Sequence, residues 1–499
     1  MSDRRSVWLL LAILAVGLPA GLTAETHLKP EKIVAEYVNA MGGSKILAKI
    51  QTESIAGNLT EMSTGRTGSY SLITKAPNRF YLEQLIEPDH EVTTYNGMSA
   101  WAQTPADGVR TLTGAASREA EGAGRYWNGR LFDVKKDKLT LQWIGSEKVR
   151  GRDAYHLRIV LAPKVARDVF FDTKTHLILR EGAGEEQFDY DDYRPVNGIQ
   201  TPHRIEFRRG GREYLVTVTR AEYNAPVDDS VFAFPRTGGA PVPDISTLLL
   251  QVNRNQKVLE EMRKQYTCHL TSEEEQSDPD GKTKSIKEFE VFHVGGEEVR
   301  RLLAKDGKPL EGVEKKKEDD RFNKEFDKLT KKQAELAADP RKRKQQEEKD
   351  EKDETELSNF LRAWRFTSGR REKFRGQDVI AVDFGPNPDH KPKGLAETFA
   401  HSLAGVMWID EQAHQIARVE AHFTDSVKVA GGMLASLEKG SNMVVEQAKV
   451  NEEVWLPVYA EVHIAGRLLF FKAKENEIER YSDYKKFSTN TRILPGDPN

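Results

Sequence analysis

The sequence is almost free of cysteine, since Cys268 is the only one in 499 residues. A single thiol excludes an intramolecular disulfide and any metal site built from several cysteines. No cysteine follows the apolar N-terminal segment, so the attachment box of a lipid-anchored protein is missing. We therefore expect a disulfide-free protein in which Cys268 is a buried small hydrophobic residue.

A charge excess of one sign is lacking as well. The chain carries 75 basic and 78 acidic residues, a formal net charge of −3, which argues against a nucleic-acid binder that works through bulk electrostatics. It also lacks the Gly-x-Ser-x-Gly of a nucleophile elbow and, despite 12 histidines, the His-Glu-x-x-His of a zinc protease. We predict no enzymatic activity, no metal and no cofactor.

The apolar runs are too short for a comfortable membrane span. Arg4 and Arg5 precede an apolar stretch at residues 7–20, and Leu22-Thr-Ala24 follows as a small-residue cleavage site. This pattern predicts a cleaved signal peptide over residues 1–24 and a periplasmic protein. The alternative is an uncleaved membrane anchor.

Short alternating segments divided by turn residues make up most of the rest. Asn96-Gly97, between two such segments, is the strongest short-range signal for a hairpin, because both residues tolerate positive φ. Helical patterns open the chain near residues 29–50 and recur near residues 245–262, after a stretch rich in Pro and Gly. We place the domain boundary there, which gives domains at residues 25–238 and 239–499.

Three blocks recur in the same order in the two domains. Each set has a strand entered through a Gly-x-Asp turn, a strand ending in Asp, and a strand with Pro near its start. The first set is Gly151-Arg-Asp-Ala-Tyr, Val169-Phe-Phe-Asp-Thr and Gly198-Ile-Gln-Thr-Pro; the second is Gly376-Gln-Asp-Val-Ile, Val406-Met-Trp-Ile-Asp and Glu453-Val-Trp-Leu-Pro. The shared order predicts two copies of one antiparallel β fold.

A segment at residues 314–356 differs, because charges of both signs dominate it and nearly cancel. This is typical of a solvated helical or disordered insert. Phe322, Phe326 and Leu329 share one helical face, so part of it can dock. Pro340 should end that helix, and a further apolar helical stripe should pack Phe360 and Trp364 against the second sheet.

Aromatic side chains supply the remaining candidates for a site. Most should be core between sheet and helix. The alternative is that some line an apolar cavity between a curved sheet and the helices laid across it. The residues that we select as ligand contacts are Tyr81, Trp101, Phe132, Phe170 and Trp408.

Several of these segments together resemble a known family, the LolA-like and LolB-like outer-membrane lipoprotein-sorting proteins. The resemblance rests on Gly42-Gly43, Ile55-Ala-Gly57, Tyr95-Asn-Gly-Met-Ser-Ala-Trp101 and Asp192-Tyr-Arg-Pro-Val-Asn-Gly-Ile-Gln-Thr-Pro-His203. It implies a mainly β (α+β) protein of two tandem curved antiparallel half-barrels, with helices packed across the concave face. It also implies an apolar concavity that binds a lipoprotein acyl chain or another lipid without a cofactor.

The resemblance leaves two functions open. One is a non-enzymatic periplasmic carrier or binding protein for acyl chains. The other is an envelope-stress sensor or interaction module of the RseB-like type, which recognises lipoproteins and contacts an envelope membrane protein. In that second case the charged insert would act as a docking arm.

Overall fold

The computed structural model describes residues 29–162, 164–183, 186–235, 241–278, 281–294, 297–345, 361–429, 435–468 and 471–486. The predicted signal peptide and the predicted boundary near Gly238 lie outside these residues, as does the insert beyond residue 345. Among the described residues, no helix combines the length and apolar composition needed to cross a membrane.

Six helices are numbered here in chain order: α1 (Pro30–Ala40), α2 (Ser44–Leu47), α3 (Gly114–Gly129), α4 (Ile245–Arg263), α5 (Gly312–Ala338) and α6 (Gly394–His401). The strands of the first half are β1 (Thr52–Glu61), β2 (Thr67–Lys75), β3 (Arg79–Ile86), β4 (Asp89–Tyr95), β5 (Ala100–Thr104), β6 (Gly108–Thr111), β7 (Thr140–Val149), β8 (Arg152–Ala162), β9 (Val165–Asp172), β10 (Ile178–Ala183), β11 (Glu186–Val196), β12 (Ile199–Arg209) and β13 (Arg212–Tyr223). Those of the second half are β14 (Tyr266–Asp278), β15 (Gly281–Val294), β16 (Glu297–Lys305), β17 (Lys308–Pro309), β18 (Trp364–Phe374), β19 (Gln377–Pro386), β20 (Leu403–Asp410), β21 (Gln415–Phe423), β22 (Val427–Val429), β23 (Ala435–Leu437), β24 (Asn442–Val450), β25 (Val454–Leu468) and β26 (Phe471–Lys486).

These strands form two antiparallel sheets, so the predicted mainly β class with two large antiparallel layers is confirmed. The first sheet has the order β6-β5-β4-β3-β2-β1-β13-β12-β11-β10-β9-β8-β7. The second has the order β17-β16-β15-β14-β26-β25-β24-β21-β20-β19-β18, with the short β22 and β23 joined to β25. In each sheet the first strand after the opening helix pairs with the last strand of its half.

The two sheets share a plan that matches the sequence repeat. Seven strands from β7 to β13 follow one another in the same spatial order as β18, β19, β20, β21, β24, β25 and β26. The repeated blocks therefore fall on β8 and β19, on β9 and β20, and on β12 and β25.

The turns of the two copies also match. Arg150-Gly151 joins β7 to β8 with φ of 50° and 79°, and Arg375-Gly376 joins β18 to β19 with φ of 49° and 83°. Two successive positive φ values are typical of the two-residue hairpin turn whose twist suits the flanking strands. Glycine is needed at the second position, because other residues adopt this region at a cost.

A second pair of turns uses aspartate. Asp172 Oδ1 accepts from the backbone N–H groups of Lys174 and Thr175, at 2.7 Å each. Asp410 Oδ1 accepts from the backbone N–H groups two and three residues further on, at 3.0 and 2.6 Å. The aspartate at each strand end is therefore a turn-forming residue, which explains why the motif recurs.

Helices cover one face of each sheet and bury its apolar side chains. In the first half, α1 and α3 pack on this inner face through Ile33, Val34 and Ala120. In the second half, α4 packs through Leu248 and Val252. Cys268 is buried, as predicted.

The charged insert is helical where it is described. Its helix α5 docks on β15 and β16, with the Phe322 ring 5.3 Å from that of Phe292 and Leu329 buried. The predicted helical stripe is wrong at Trp364, which is the first residue of β18 and packs with its ring 4.4 Å from that of Phe384. The Trp364 indole is buried, as expected. It lies on a strand and not on a helix, because packing in the sheet outweighs the weak local preference for helix. Phe360 lies outside the described residues.

Candidate functional site

The candidate site is a cavity of about 380 Å³ between α3 and the inner face of the first sheet. Its walls come from α3, from β3 and β4, and from β8 to β12. In the strand order β4 and β8 are nine positions apart. A flat sheet would separate them by about 43 Å at the usual spacing of about 4.8 Å. Because both strands line one cavity, the first sheet bends strongly around α3.

Both apolar and charged side chains line the cavity. Its lining from α3 and the sheet includes Phe80, Leu82, Leu112, Ala116, Ala120, Ala123, Trp127, Leu161 and Val165. The helix contributes three alanines, the carboxylate of Glu119 and the indole of Trp127. The empty space exists because most of these side chains are small. The charged residues of the lining are Glu119, Arg158, Lys164, Arg167, Asp168, Glu186 and Arg209. The cavity therefore combines an apolar wall with more charged groups than a typical ligand pocket has.

Small residues also let α3 approach the sheet closely. A Cβ at Gly124 would lie 2.1 Å from the carbonyl oxygen of Asn78, and one at Gly122 would lie 2.6 Å from Val165 Cγ1. The first contact is with backbone, which cannot move aside cheaply. The glycines therefore determine how close the helix sits to the sheet and how much space remains beside it.

Most charged groups that line the cavity are paired. Arg158 donates to both oxygens of Asp168, at 3.1 and 2.8 Å. Arg209 donates to Glu186 at 2.7 Å and to Glu91 at 2.6 Å. Burial acts to raise the pKa of Asp168, but hydrogen bonds from Arg158 and a histidine outweigh it, so this pKa is lowered.

Arg167 is held differently, by aromatic rings and a longer ion pair. It is 5% exposed, lies over the rings of Tyr126 and Trp127 at 5.2 and 5.4 Å, and faces Glu181 with Nη1 3.7 Å from Oε1. That distance is too long for a hydrogen bond, and Nη1 has no hydrogen-bond partner among the described residues. Glu181 Oε1 accepts instead from Tyr190 Oη at 2.7 Å.

The opposite side of α3 contacts the second half of the chain. The backbone N–H of Gly114, at the start of the helix, donates to both oxygens of Glu420 at 2.9 and 3.0 Å. Arg118 lies 3.8 Å from Glu461, and Glu121 lies 3.9 Å from His422. A carboxylate suits a helix N-terminus, where N–H groups lack internal partners. The same helix is thus both the wall of the cavity and the joint between the halves.

A buried polar cluster lies beside this joint. Arg370 donates to Asp383 at 2.7 Å and to Thr111 of the first half at 2.6 Å. Asn96, in the predicted hairpin turn, donates to the other Asp383 oxygen at 2.8 Å. Burial acts to lower the pKa of Arg370, but the charges of Asp383 and Glu372 outweigh it and raise this pKa. The hairpin tip of one half is therefore bonded to a charge of the other.

The five aromatic residues selected from the sequence do not meet at one place. Trp101 is buried and donates from Nε1 to the Phe232 carbonyl at 3.1 Å, with Tyr81 at 6.5 Å. Phe170 stacks on His156 at 4.1 Å.

The other two selected residues are also built into the protein. Trp408, in the second sheet, donates to Glu372 at 3.2 Å, and Phe132 packs against the inner core of the first half. None of the five lines the cavity between α3 and the first sheet. Their role as ligand contacts stays a prediction.

Strand alternation explains this distribution. Phe80 and Leu82 face the inner core, so Tyr81 between them faces the other side. The same holds for Trp101 between two inner alanines and for Phe170 between Val169 and Phe171. Sequence reasoning missed Arg167 and the small residues of α3. Only the run Gly114-Ala-Ala-Ser-Arg-Glu-Ala-Glu-Gly-Ala-Gly gave a signal, because so many small residues in one helix indicate a close contact.

Several solved structures are similar to this chain, with low sequence identity and low TM-scores. A DUF1329 family protein from Desulfovibrio piger ATCC 29098 is 16% identical over 41% of this chain and 98% of its own, with a TM-score of 0.29. A LolA superfamily protein from Nitrosomonas europaea is 12% identical over 41% and 98%, with a TM-score of 0.28. The complex of MucA and MucB from Pseudomonas aeruginosa is 9% identical over 91% and 99%, with a TM-score of 0.19.

These structures include a LolA superfamily protein, and LolA-like proteins are the family that the sequence resembles. No protein-family model matches the sequence, and no curated protein matches it. The fold class rests on the strand order and turns described above.

Proposed function

We propose that this protein is an exported, non-enzymatic carrier or binding protein that holds an acyl chain in the cavity between α3 and the first sheet. The observation that carries the proposal is the bend of the sheet around a helix of small residues, which leaves a cavity of about 380 Å³ with an apolar wall formed by side chains such as Phe80, Leu82 and Leu161. This is at the lower end of the roughly 300–1,000 Å³ typical of ligand pockets. Each methylene buried there contributes about 0.8 kcal/mol.

The proposal is tested by filling the cavity. Ala123 is buried and lines it, so Ala123→Leu places extra carbon in the space that a chain would occupy. Ala115 is exposed on the same helix and outside the lining, so Ala115→Leu is the matched control. Binding is measured with the neutral probe 1-N-phenylnaphthylamine, and bound lipid by mass spectrometry of protein purified from a native envelope.

We expect Ala123→Leu to weaken probe binding at least tenfold, and Ala115→Leu to leave it unchanged. Wild-type protein that carries no lipid and binds no probe would contradict the proposal.

A second candidate is a sensor or interaction module of the RseB-like type, which reads lipoproteins and contacts an envelope membrane protein. What favours it is α5, a mostly exposed helix rich in charge that docks on the second sheet only by one edge. Deleting residues 314–356 separates the two functions. A carrier keeps its probe binding, whereas a sensor loses the envelope protein that crosslinks to the intact chain.

A further inference from the structure

We propose that Lys164 and Glu119, at the mouth of the cavity, select an amphiphile whose head group is zwitterionic. The mouth is the end of the cavity between α3 and the turns at one end of the first sheet. The chain lies along the apolar wall, and the head stays at the mouth with its anionic group near Lys164 and its cationic group near Glu119. This inference rests on the proposed function and specifies the class of its ligand.

The two residues lie on opposite sides of this mouth. The turns β8–β9, β10–β11 and β12–β13 are at the same end of the antiparallel sheet, and Lys164 is in the first of them. Glu119 is on α3, one helical turn before Gly122, where an added Cβ would lie 2.6 Å from Val165 Cγ1. This part of the helix therefore runs beside the turn. Both Lys164 and Glu119 line the cavity and are exposed, so a head group between them stays in contact with water.

The other charged groups of the lining already have partners of opposite charge. Arg158 lies 2.8 Å from Asp168, and Arg209 lies 2.7 Å from Glu186. Arg167 is buried and faces a carboxylate at 3.7 Å. Each of these groups is balanced within the protein, so none of them needs a ligand to neutralise its charge.

Lys164 and Glu119 are the charged lining residues that remain. Neither has an ion pair or a side-chain hydrogen bond among the residues that the structure describes. They differ in sign, so the mouth presents one unpaired positive charge and one unpaired negative charge. A head group with a single charge would be attracted by one of them and repelled by the other, whereas a zwitterion can be attracted by both.

The test compares three compounds that share a dodecyl chain and differ in the head group. Dodecylphosphocholine is zwitterionic, dodecyl phosphate is anionic and dodecyltrimethylammonium is cationic. Each competes with 1-N-phenylnaphthylamine for the full-length protein below its micelle concentration. The variants Lys164→Gln and Glu119→Gln each remove one charge from the mouth. Lys174→Gln and Glu87→Gln are the matched controls, because both residues are exposed and lie outside the cavity lining.

We expect the wild-type protein to bind dodecylphosphocholine about threefold more tightly than either singly charged compound, since exposed charge pairs contribute modestly. Lys164→Gln should weaken binding of dodecyl phosphate and strengthen binding of dodecyltrimethylammonium, and Glu119→Gln should do the reverse. In each variant one singly charged compound should then bind as tightly as the zwitterion. Salt at about 1 M should reduce the wild-type preference, because it screens exposed charges.

Equal binding of the three compounds by the wild-type protein, or tightest binding of a singly charged one, would overturn the inference and leave the carrier function intact. Variants that keep the wild-type ranking, or a control that changes it, would also overturn it. Failure of the wild-type protein to bind every compound and the probe would instead contradict the proposed function.

Discussion

The two halves of the chain share a strand plan and differ in the helix that connects their two groups of strands. This helix lies between β6 and β7 in the first half and between β17 and β18 in the second. In the first half this helix is α3, which is short, rich in small residues and packed inside the bent sheet. In the second half it is α5, which is longer, highly charged and docked on β15 and β16 through few apolar side chains. The same topological position therefore forms a cavity wall in one copy and a surface arm in the other.

The comparison shows how a duplicated fold can divide its tasks. The internal helix α3, rich in alanine and glycine, leaves a cavity beside it, whereas the charged helix α5 lies on the second sheet and α4 supplies apolar side chains to its core. The second half also supports the first, because Glu420 caps α3 and Asp383 holds the hairpin that contains Asn96. The following predictions test these differences, from the largest expected effect to the smallest.

Asp383→Ala should break the joint between the halves. It removes the fully buried carboxylate that binds both Arg370 and Asn96. The substitution leaves Asn96 without this acceptor and leaves Arg370 with Glu372 as its remaining carboxylate partner, at 2.8 Å. Because breaking a buried pair is costly, we expect a loss of about 3 kcal/mol in the free energy of unfolding. Chemical denaturation measures it. Asp378→Ala, in the exposed Lys373–Asp378 pair of the same hairpin, is the control and should cost at most about 1 kcal/mol.

Gly124→Ala should displace α3 from the first sheet. The added Cβ would lie 2.1 Å from a backbone oxygen of Asn78, and overpacking of this kind costs about 1–3 kcal/mol. Gly145→Ala in β7 meets open space and serves as the control. Thermal unfolding and probe binding should both change for Gly124→Ala alone. An unchanged melting temperature would mean that α3 is not seated as described.

Glu420→Gln should loosen the start of α3 from the other half. The substitution removes the negative charge at the helix N-terminus but keeps an acceptor, so we expect a cost of about 1 kcal/mol. Hydrogen exchange at the first turn of α3 should speed up. Glu222→Gln, an exposed residue of β13, should leave that exchange unchanged.

Acid should weaken the contact between α3 and β25. A hydrogen bond with His463 lowers the pKa of Glu461 to about 2, against burial, and Arg118 acts in the same direction. Because the folded pKa is below the ordinary value of 4.5, this stabilisation is present above pH 4.5 and lost as pH falls toward about 2. We expect the melting temperature of Glu461→Gln to depend less on pH between 4.5 and 2 than that of the wild type. Parallel curves for the two proteins would contradict this.

Much of the fold could be predicted from the sequence, because strands and turns carry local signals. Gly97, Gly151 and Gly376 mark turns in which their own backbone has positive φ, and the repeated blocks placed matching strands in both halves. The cavity could not be predicted in the same way. Neighbouring strand residues such as Phe80 and Tyr81 face opposite sides of the sheet, but no local signal says which side becomes concave.

The sequence alone determined the mainly β class, the duplication and the scarcity of chemistry-bearing groups, because hydrophobic period, turn residues and composition act over a few residues at a time. Only the tertiary structure decided which face encloses space, that Arg167 lies buried there against Tyr126, Trp127 and Glu181, and that Glu420 of one half caps a helix of the other. These features depend on residues far apart in the chain that meet only when the sheets bend and the halves pack together.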